Sequence, residues 1–276
     1  MKFKADWQPY LRGLRRREIE LIFGRCPPNA FAHGLELGAG DGFQSALLAP
    51  YVGKLVATDY RPQIIRRAAG PNITFATCDA ERVDEQFDAA SFDLIFSSNM
   101  MEHLPDPMRA LNAMRTVLRD DGLAIHVIPS PFWKLCHLVG FYPNAVLTRL
   151  QRLSERGKAA AIPALSEDPW DNNPKSGFAQ RPYLARLLWP AAHGASGSNL
   201  AEFRLFSRGH WSALFEAAGF QVAAVLRGPV SSGYGFGWKR PRALLESIGC
   251  ASEYVYITAK AGSAGNAAPR LRYFLP

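Results

Sequence analysis

Cysteine is scarce in this sequence, and its residues stand far apart. There are four: Cys26, Cys78, Cys136 and Cys250. None forms a close pair at the spacing of metal ligands, and their density is too low for a disulfide framework. The distribution therefore favours reduced thiols and a cytoplasmic protein. Histidine, aspartate and glutamate form no cluster with convincing spacing either, so no metal site is predicted.

Long apolar runs are also missing. The most apolar stretch, residues 135–148, contains His137, Pro143 and Asn144 and is too short to span a bilayer. The opening Met1-Lys2-Phe3-Lys4 leads into no apolar run with a cleavage site, so we expect no signal peptide. The sequence predicts a protein without a transmembrane segment, for which peripheral membrane contact stays open.

Acidic residues are outnumbered by basic ones, and the net charge is +8. Many basic residues fall in the run Arg12 to Arg17 and near the end, at Arg270 and Arg272. Such runs can attract phosphates or anionic lipids, but they are more often solvated helix faces. Charge alone therefore identifies no partner. A hydrophobic content of 48% excludes general disorder.

From residue 34 to 129, short β-rich runs alternate with amphipathic segments of helix length. The runs that predict strands are Gly34 to Leu37, Lys54 to Thr58, Ile73 to Thr77, Phe92 to Ser97 and Leu123 to Ile128. The segments that predict helices are Phe43 to Ala49, Pro62 to Ala69 and Pro107 to Leu118. This alternation is typical of a Rossmann-like, doubly wound α/β sheet with crossover helices.

After Pro129 the alternation stops, and it resumes only near Ser207, which can cap a helix that ends at Gly219. Later strands are predicted at Gln221 to Leu226 and Glu253 to Ala259, the last one antiparallel. We divide the chain into an N-terminal helical segment with the first half of the sheet (1–129), an inserted cap (130–200), the rest of the sheet domain (201–261) and a tail (262–276). Within the cap, a short helix is expected at Ala145 to Leu153, and the tail is expected to be loose apart from its apolar end.

The strongest local signal is a glycine-rich turn between a strand and a helix, Leu35-Glu36-Leu37-Gly38-Ala39-Gly40-Asp41-Gly42. Glycines permit positive φ angles and let a ligand approach the backbone closely. The spacing differs from the Gly-x-Gly-x-x-Gly fingerprint of dinucleotide sites. A tight structural turn explains such glycines equally well when they stand alone.

Two acidic residues stand at the ends of the next strands. Asp59 ends the second strand, where a carboxylate can accept bonds from both ribose hydroxyls of an adenosine cofactor. Asp79 follows the third strand, where it can reach an adenine amino group. The alternatives are a helix cap for Asp59 and a simple turn residue for Asp79.

Taken together, these residues resemble the class I S-adenosylmethionine-dependent methyltransferases. The resemblance covers about residues 30 to 130 and follows the family motifs in order: the glycine-rich turn, Val56-Ala57-Thr58-Asp59, Cys78-Asp79-Ala80-Glu81, Ser91-Phe92-Asp93-Leu94-Ile95, Glu102-His103-Leu104 and Val117-Leu118-Arg119-Asp120-Asp121-Gly122-Leu123. One departure is Asp120-Asp121-Gly122, where relatives often have a Pro-Gly turn.

The resemblance implies S-adenosylmethionine as cofactor and assigns roles to particular residues. Glu36 would orient the loop or reach the methionine amino group, and Asp59 would hold the ribose. The residues expected to contact the cofactor are Glu36, Gly38, Gly40, Asp59, Tyr60, Asp79, Ala80, Ser97 and Ser98.

Methyl transfer to a hydroxyl requires a base as well as positioning. His103 is the first candidate, because it follows the fourth strand, and a structural role before Pro105 explains it equally well. His193 is the second candidate, and His210 and Glu202 follow; a loop or cap role is the alternative for each. Aromatic residues of the cap can stack on a sugar or ring, and they are Phe132, Trp133, Phe141, Tyr142, Trp170, Tyr183 and Trp189.

We therefore interpret the sequence as a methyltransferase that O-methylates a sugar-containing or other small-molecule acceptor. An RNA methyltransferase remains an alternative, although neither an Asn-Pro-Pro-Tyr motif nor a separate RNA-binding module is visible. A non-catalytic protein that binds an adenosine cofactor is another. The sequence identifies neither the methylated atom nor the oligomeric state.

Overall fold

The computed structural model describes residues 7–61, 70–155, 198–231, 233–236 and 238–275. Seven strands form one sheet in the order β3-β2-β1-β4-β5-β7-β6. They are β1 (Phe31–Leu37), β2 (Val52–Asp59), β3 (Ile73–Thr77), β4 (Phe92–Ser98), β5 (Leu118–Pro129), β6 (Phe220–Arg227) and β7 (Glu253–Lys260). Of these seven strands, β7 points opposite to the other six, which all run in one direction. The predicted mostly parallel sheet with an antiparallel last strand is confirmed.

Helices cover both faces of the sheet. They are α1 (Trp7–Phe23), α2 (Phe43–Leu48), α3 (Val83–Gln86), α4 (Pro107–Val117), α5 (Pro131–Glu155), α6 (Asn199–Leu205), α7 (Arg208–Ala217), α8 (Lys239–Ser247) and α9 (Ala264–Leu271). Single turns of 3-10 helix lie at Ala49–Tyr51, Ala80–Arg82 and Met101–His103. The helix predicted from Pro62 to Ala69 lies outside the described residues.

The central strands are apolar on both faces because helices bury both faces. On β4, Leu94 and Phe96 join a core with α1 and α9, whereas Ile95 points to the other face and joins a core with α4 and α7. Each side chain alternates as the pleat of a strand requires. This double burial holds the carboxyl ends of β1, β2 and β4 rigidly together.

The composition of the tail after Ala261 predicts a loose segment, and this prediction is wrong. The tail forms helix α9. Arg270 on this helix donates to Asp93 Oδ2 at 2.9 Å and to Asp121 Oδ2 at 2.8 Å. Leu271 and Phe274 enter the core beside α1. Arg270 therefore ties the tail to the sheet rather than offering its charge to a phosphate or lipid, and the unusual Asp121 is its partner.

The segment after β5 begins with a long helix rather than a short one. The predicted helix from Ala145 to Leu153 is part of α5, which starts at Pro131. Ser130 accepts a bond from the Trp133 N–H at 3.1 Å, and proline suits the first turn of a helix. The aromatic residues Trp170, Tyr183 and Trp189 lie outside the described residues, so the cap they were expected to form stays a prediction.

Candidate functional site

The carboxyl ends of the parallel strands meet along one edge of the sheet. Leu37 of β1 pairs with Thr58 of β2 on one side and with Ser97 of β4 on the other. Asp59 in turn pairs with Thr77 at the end of β3. This edge is where open α/β sheets bind ligands, so the predicted site residues on these strands do come together.

The glycine-rich turn has the backbone that its sequence requires. Gly38, Gly40 and Gly42 have φ angles of 75°, 55° and 76°. A Cβ atom at position 38 would lie 2.8 Å from Met100 Cγ, whereas one at position 40 would meet no atom within 4 Å. Gly38 is thus needed for conformation and packing, and Gly40 leaves open space above the turn.

Asp59 braces this turn with its carboxylate. Its Oδ2 accepts from the Gly40 N–H at 3.0 Å, and its Oδ1 accepts from the Arg61 N–H at 2.9 Å. The contact with ribose stays a prediction, for which the carboxylate oxygens keep further lone pairs. Tyr60, which follows it, is exposed.

Asp79 and Ala80 stand beside Asp59 at the end of β3. The Cys78 N–H donates to the Asp59 carbonyl at 3.1 Å, so the two strand ends are directly linked. Asp79 Oδ1 accepts from the Glu81 N–H at 3.0 Å and caps the turn Ala80–Arg82. The turn role that the sequence left open for Asp79 is therefore real, and its contact with adenine stays a prediction.

Ser97 and Ser98 point to opposite faces of β4. The Ser97 hydroxyl is buried and lies 2.8 Å from His126 Nδ1, so only its backbone can reach a ligand. The Ser98 hydroxyl accepts from Arg15 at 3.0 Å and donates to Glu18 at 3.2 Å. Of the two predicted serines, only Ser98 joins the polar groups at the edge.

Those polar groups form a carboxylate cluster that the sequence interpretation missed. We define it as Glu18, Glu102 and Glu253, three buried side chains with Arg15 among them. Arg15 Nη1 donates to both oxygens of Glu18 at 2.8 and 2.9 Å and lies 3.6 Å from Glu253 Oε1. The run Arg12 to Arg17 is therefore not simply a solvated face, because the Arg15 side chain is only 19% exposed.

The sequence contained a signal for one member of this cluster. Glu18 lies between Leu14 and Ile22 at a spacing of four residues, which places an acid on the buried stripe of α1.

Burial makes two carboxyls of this cluster, Glu102 and Glu253, reluctant to ionise. It raises the pKa of Glu102 to about 8, against the opposing effect of Arg15. Burial, followed by the nearby Glu18, raises the pKa of Glu253 well above its usual range. On β1, burial raises the pKa of Glu36 to about 7. One edge of the sheet therefore carries two carboxyls, Glu36 and Glu102, whose pKa values lie near neutral pH.

His103 lies in the 3-10 turn next to this cluster. Its Nε2 is 3.7 Å from Glu102 Oε1, and burial lowers the pKa of His103 to about 4. The imidazole is therefore neutral at pH 7.

Two other candidate bases do not join this edge in the described structure. His193 lies outside the described residues, and Glu202 is buried in an ion pair with Lys134. In the described part of the chain, no three acidic, histidine or cysteine side chains stand close enough to hold a metal ion.

Comparison with known proteins identifies a domain within the chain. Residues 35–126, from β1 into β5, match the family model described as a methyltransferase domain. Over part of its length the chain is similar to S-adenosylmethionine-dependent methyltransferases. The fold is similar to that of a putative S-adenosylmethionine-dependent methyltransferase from Listeria monocytogenes, which superposes with a TM-score of 0.53 at 11% identity, over 92% of this chain and 99% of that one.

Two curated relatives match part of the chain. A ubiquinone biosynthesis O-methyltransferase of Xanthomonas axonopodis pv. citri is 27% identical over 42% of this chain and 50% of its own length. Phosphoethanolamine N-methyltransferase 1 of Arabidopsis thaliana is 31% identical over 38% of this chain and 22% of its own. The chain thus spans half or less of the length of these relatives.

The residues at the edge fit S-adenosylmethionine. Among the described residues, Glu36 Oε2 is buried without a hydrogen bond, and a carboxylate is a suitable partner for the cationic amino acid end of this cofactor. The open space at Gly40 admits a ligand against the backbone. Both oxygens of Glu102 are also buried without a hydrogen bond among the described residues. The motif Glu102-His103-Leu104 was part of the family resemblance, but Glu102 was not among the predicted site residues.

We expect Asp59→Ala to weaken S-adenosylhomocysteine binding by about 1–3 kcal/mol, the scale of hydrogen bonds to a charged group. The variant also frees the Gly40 N–H, so Asp59→Asn is the matched comparison, since its side-chain oxygen can still accept that bond. Calorimetry on both variants measures the effect. Unchanged affinity in Asp59→Ala would show that the carboxylate holds no ribose, and loss of folding would assign it to the turn alone.

Proposed function

We propose that the chain transfers the methyl group of S-adenosylmethionine to an oxygen of a sugar-containing or other small-molecule acceptor. The observation that carries this proposal is the shared edge, where the open glycine turn, Asp59 and the carboxylate cluster meet. When bound, the cofactor supplies an electrophilic methyl group. The chain's own residues position the acceptor and take its proton.

The similarity to an O-methyltransferase supports oxygen as the methylated atom, while the N-methyltransferase relative keeps nitrogen as the alternative. Proton removal is needed for a hydroxyl, and the edge supplies two acceptors, Glu102 and His103. Of these, we propose Glu102 as the base. Its oxygens have no hydrogen bond among the described residues, and a pKa of about 8 suits a base that works near neutral pH.

Isothermal calorimetry tests the cofactor assignment. We expect S-adenosylmethionine and S-adenosylhomocysteine to bind and NADH to give no heat, because the glycine turn lacks the dinucleotide spacing. Binding of NADH in place of S-adenosylmethionine would overturn the proposal. Retention of RNA at low salt, with methyl incorporation into it, would favour the RNA methyltransferase instead.

The pH dependence of kcat separates the two bases. With Glu102 as base, only its ionised form is active, so kcat should rise about tenfold per pH unit up to its pKa of about 8 and then level off. Glu102→Gln should lower kcat roughly 10²- to 10⁴-fold and remove this step. With His103 as base, a pKa of about 4 leaves the imidazole active throughout, and kcat should be flat from pH 6 to 9. His103→Gln is the matched control.

A further inference from the structure

Helix α5 presents an aliphatic stripe to solvent. Leu135, Val139, Val146 and Leu150 are 46%, 64%, 57% and 57% exposed. Their spacings of four, seven and four residues place them on one face of the helix. At 1.5 Å per residue the stripe is roughly 22 Å long. Single exposed apolar side chains are ordinary, but an aligned set of this length marks an interaction surface.

Up to its last residue, Glu155, helix α5 carries charges of one sign. From Pro131 to Ser154 the helix contains no aspartate or glutamate. Arg149 is exposed beside Leu150 at the end of the stripe. Lys134 points the other way, because it is buried in its ion pair with Glu202. The exposed face therefore combines apolar side chains with positive charge only.

A second element that packs on α5 carries an exposed aromatic residue and more positive charge. The segment before α8 packs on α5 at Gly140, where a Cβ atom would lie 2.9 Å from Tyr234 Cδ2 and 3.6 Å from Phe236 Cε2. Trp238 stacks on Phe236 with 4.8 Å between ring centroids and is itself 52% exposed. Lys239 and Arg240 follow Trp238 and are both exposed.

We propose that the aliphatic stripe and Trp238 rest on the surface of a membrane that contains anionic lipids. An apolar helix face, a tryptophan and flanking cations are the features of a helix that lies in the interface, with its apolar side among the acyl chains. No helix in the described ranges is long and apolar enough to cross a bilayer, so the contact is peripheral.

The position of α5 connects this surface to the site. The helix begins two residues after Pro129, at the same edge of the sheet as Asp59 and the carboxylate cluster. Docking by α5 would bring that edge close to the lipid headgroups. This step rests on the proposed function, and it assigns the acceptor to molecules held in or on a membrane.

Vesicle sedimentation tests the docking with the full chain. Wild type should sediment with vesicles of equal phosphatidylglycerol and phosphatidylcholine, less so at high salt, and hardly at all with phosphatidylcholine alone. Val139→Asp and Val146→Asp should each reduce the vesicle-bound fraction at least tenfold. Lys239→Glu combined with Arg240→Glu should reduce binding to the anionic vesicles. Leu21→Asp is the matched control. Leu21 is 46% exposed, as Leu135 is, but it lies on α1, next to residues that pack at the amino end of β1. Vesicle binding of this variant should equal that of the wild type.

Two results would overturn the proposal. One is a failure to bind: wild-type protein stays in solution with anionic vesicles, or Val139→Asp binds these vesicles as well as the wild type does. The other is a dimer in sedimentation velocity that Val139→Asp converts to monomer, which would assign the stripe to a second copy of the chain. Calorimetry with S-adenosylhomocysteine on the same variants keeps the two questions apart, because loss of vesicle binding with intact cofactor binding concerns only the stripe.

Discussion

Gly38→Val should abolish detectable binding of S-adenosylhomocysteine, with an affinity at least a hundredfold below that of the wild type. The residue has a φ of 75°, which a β-branched side chain adopts only with strain of order 1–3 kcal/mol. The new Cβ would also lie 2.8 Å from Met100 Cγ. The turn must therefore shift, and it is the part of the backbone nearest to Asp59.

Two other glycines make this experiment specific. Gly209→Val adds the same side chain where no atom lies within 4 Å and φ is not positive, so cofactor binding should not change. Gly40→Ala adds a methyl group to the open space above the turn and should weaken binding about tenfold, with a loss of folding stability of about 1–2 kcal/mol because its φ of 55° is left-handed. Calorimetry and urea unfolding give both readouts. Wild-type affinity in Gly38→Val and Gly40→Ala alike would place the cofactor elsewhere.

The strands and their order could be predicted because their signals are local. Each of the first five strands is an apolar run that ends in glycine, a polar residue or proline, and the crossover segments between them require parallel pairing. The observed bounds differ from the predicted ones mainly at β5. This strand begins at Leu118 rather than at Leu123, because Leu118 pairs with Phe92 before the register shifts. The glycine turn and Asp59 were predictable for the same reason, since two short motifs contain them.

The carboxylate cluster was not predictable in this way because its members come from distant segments. Glu18 lies on α1, Glu102 in the turn after β4 and Glu253 at the start of β7, and only the folded chain brings them to Arg15. The same holds for the tail, where Arg270 reaches Asp93 across 177 positions. Composition predicts a flexible tail there, and the ion pairs of Arg270 with Asp93 and Asp121, together with an apolar anchor, override that tendency.

Lys134→Met should lower the free energy of unfolding by about 3–5 kcal/mol, the usual cost of removing one partner from a buried ion pair. Lys134 on α5 and Glu202 on α6 are both fully buried and pair with each other. Methionine fills the space of the lysine stem but leaves the Glu202 carboxylate without its cation. Because α6 packs on α5 here, the effect should include loss of their contact.

The loss of stability in Lys134→Met should depend on pH, because the variant leaves the Glu202 carboxylate buried without its cation. Without Lys134, the folded-state pKa of Glu202 rises above its unfolded value of about 4.3, so the penalty is present at pH 8 and shrinks as the pH falls toward 5. The double variant Lys134→Met with Glu202→Gln removes the charge and should recover at least half of the lost stability. Urea unfolding of the three proteins at both pH values measures this. A single variant that unfolds like the wild type at pH 8, or a double variant less stable than the single one, would mean that the pair does not hold α6 against α5.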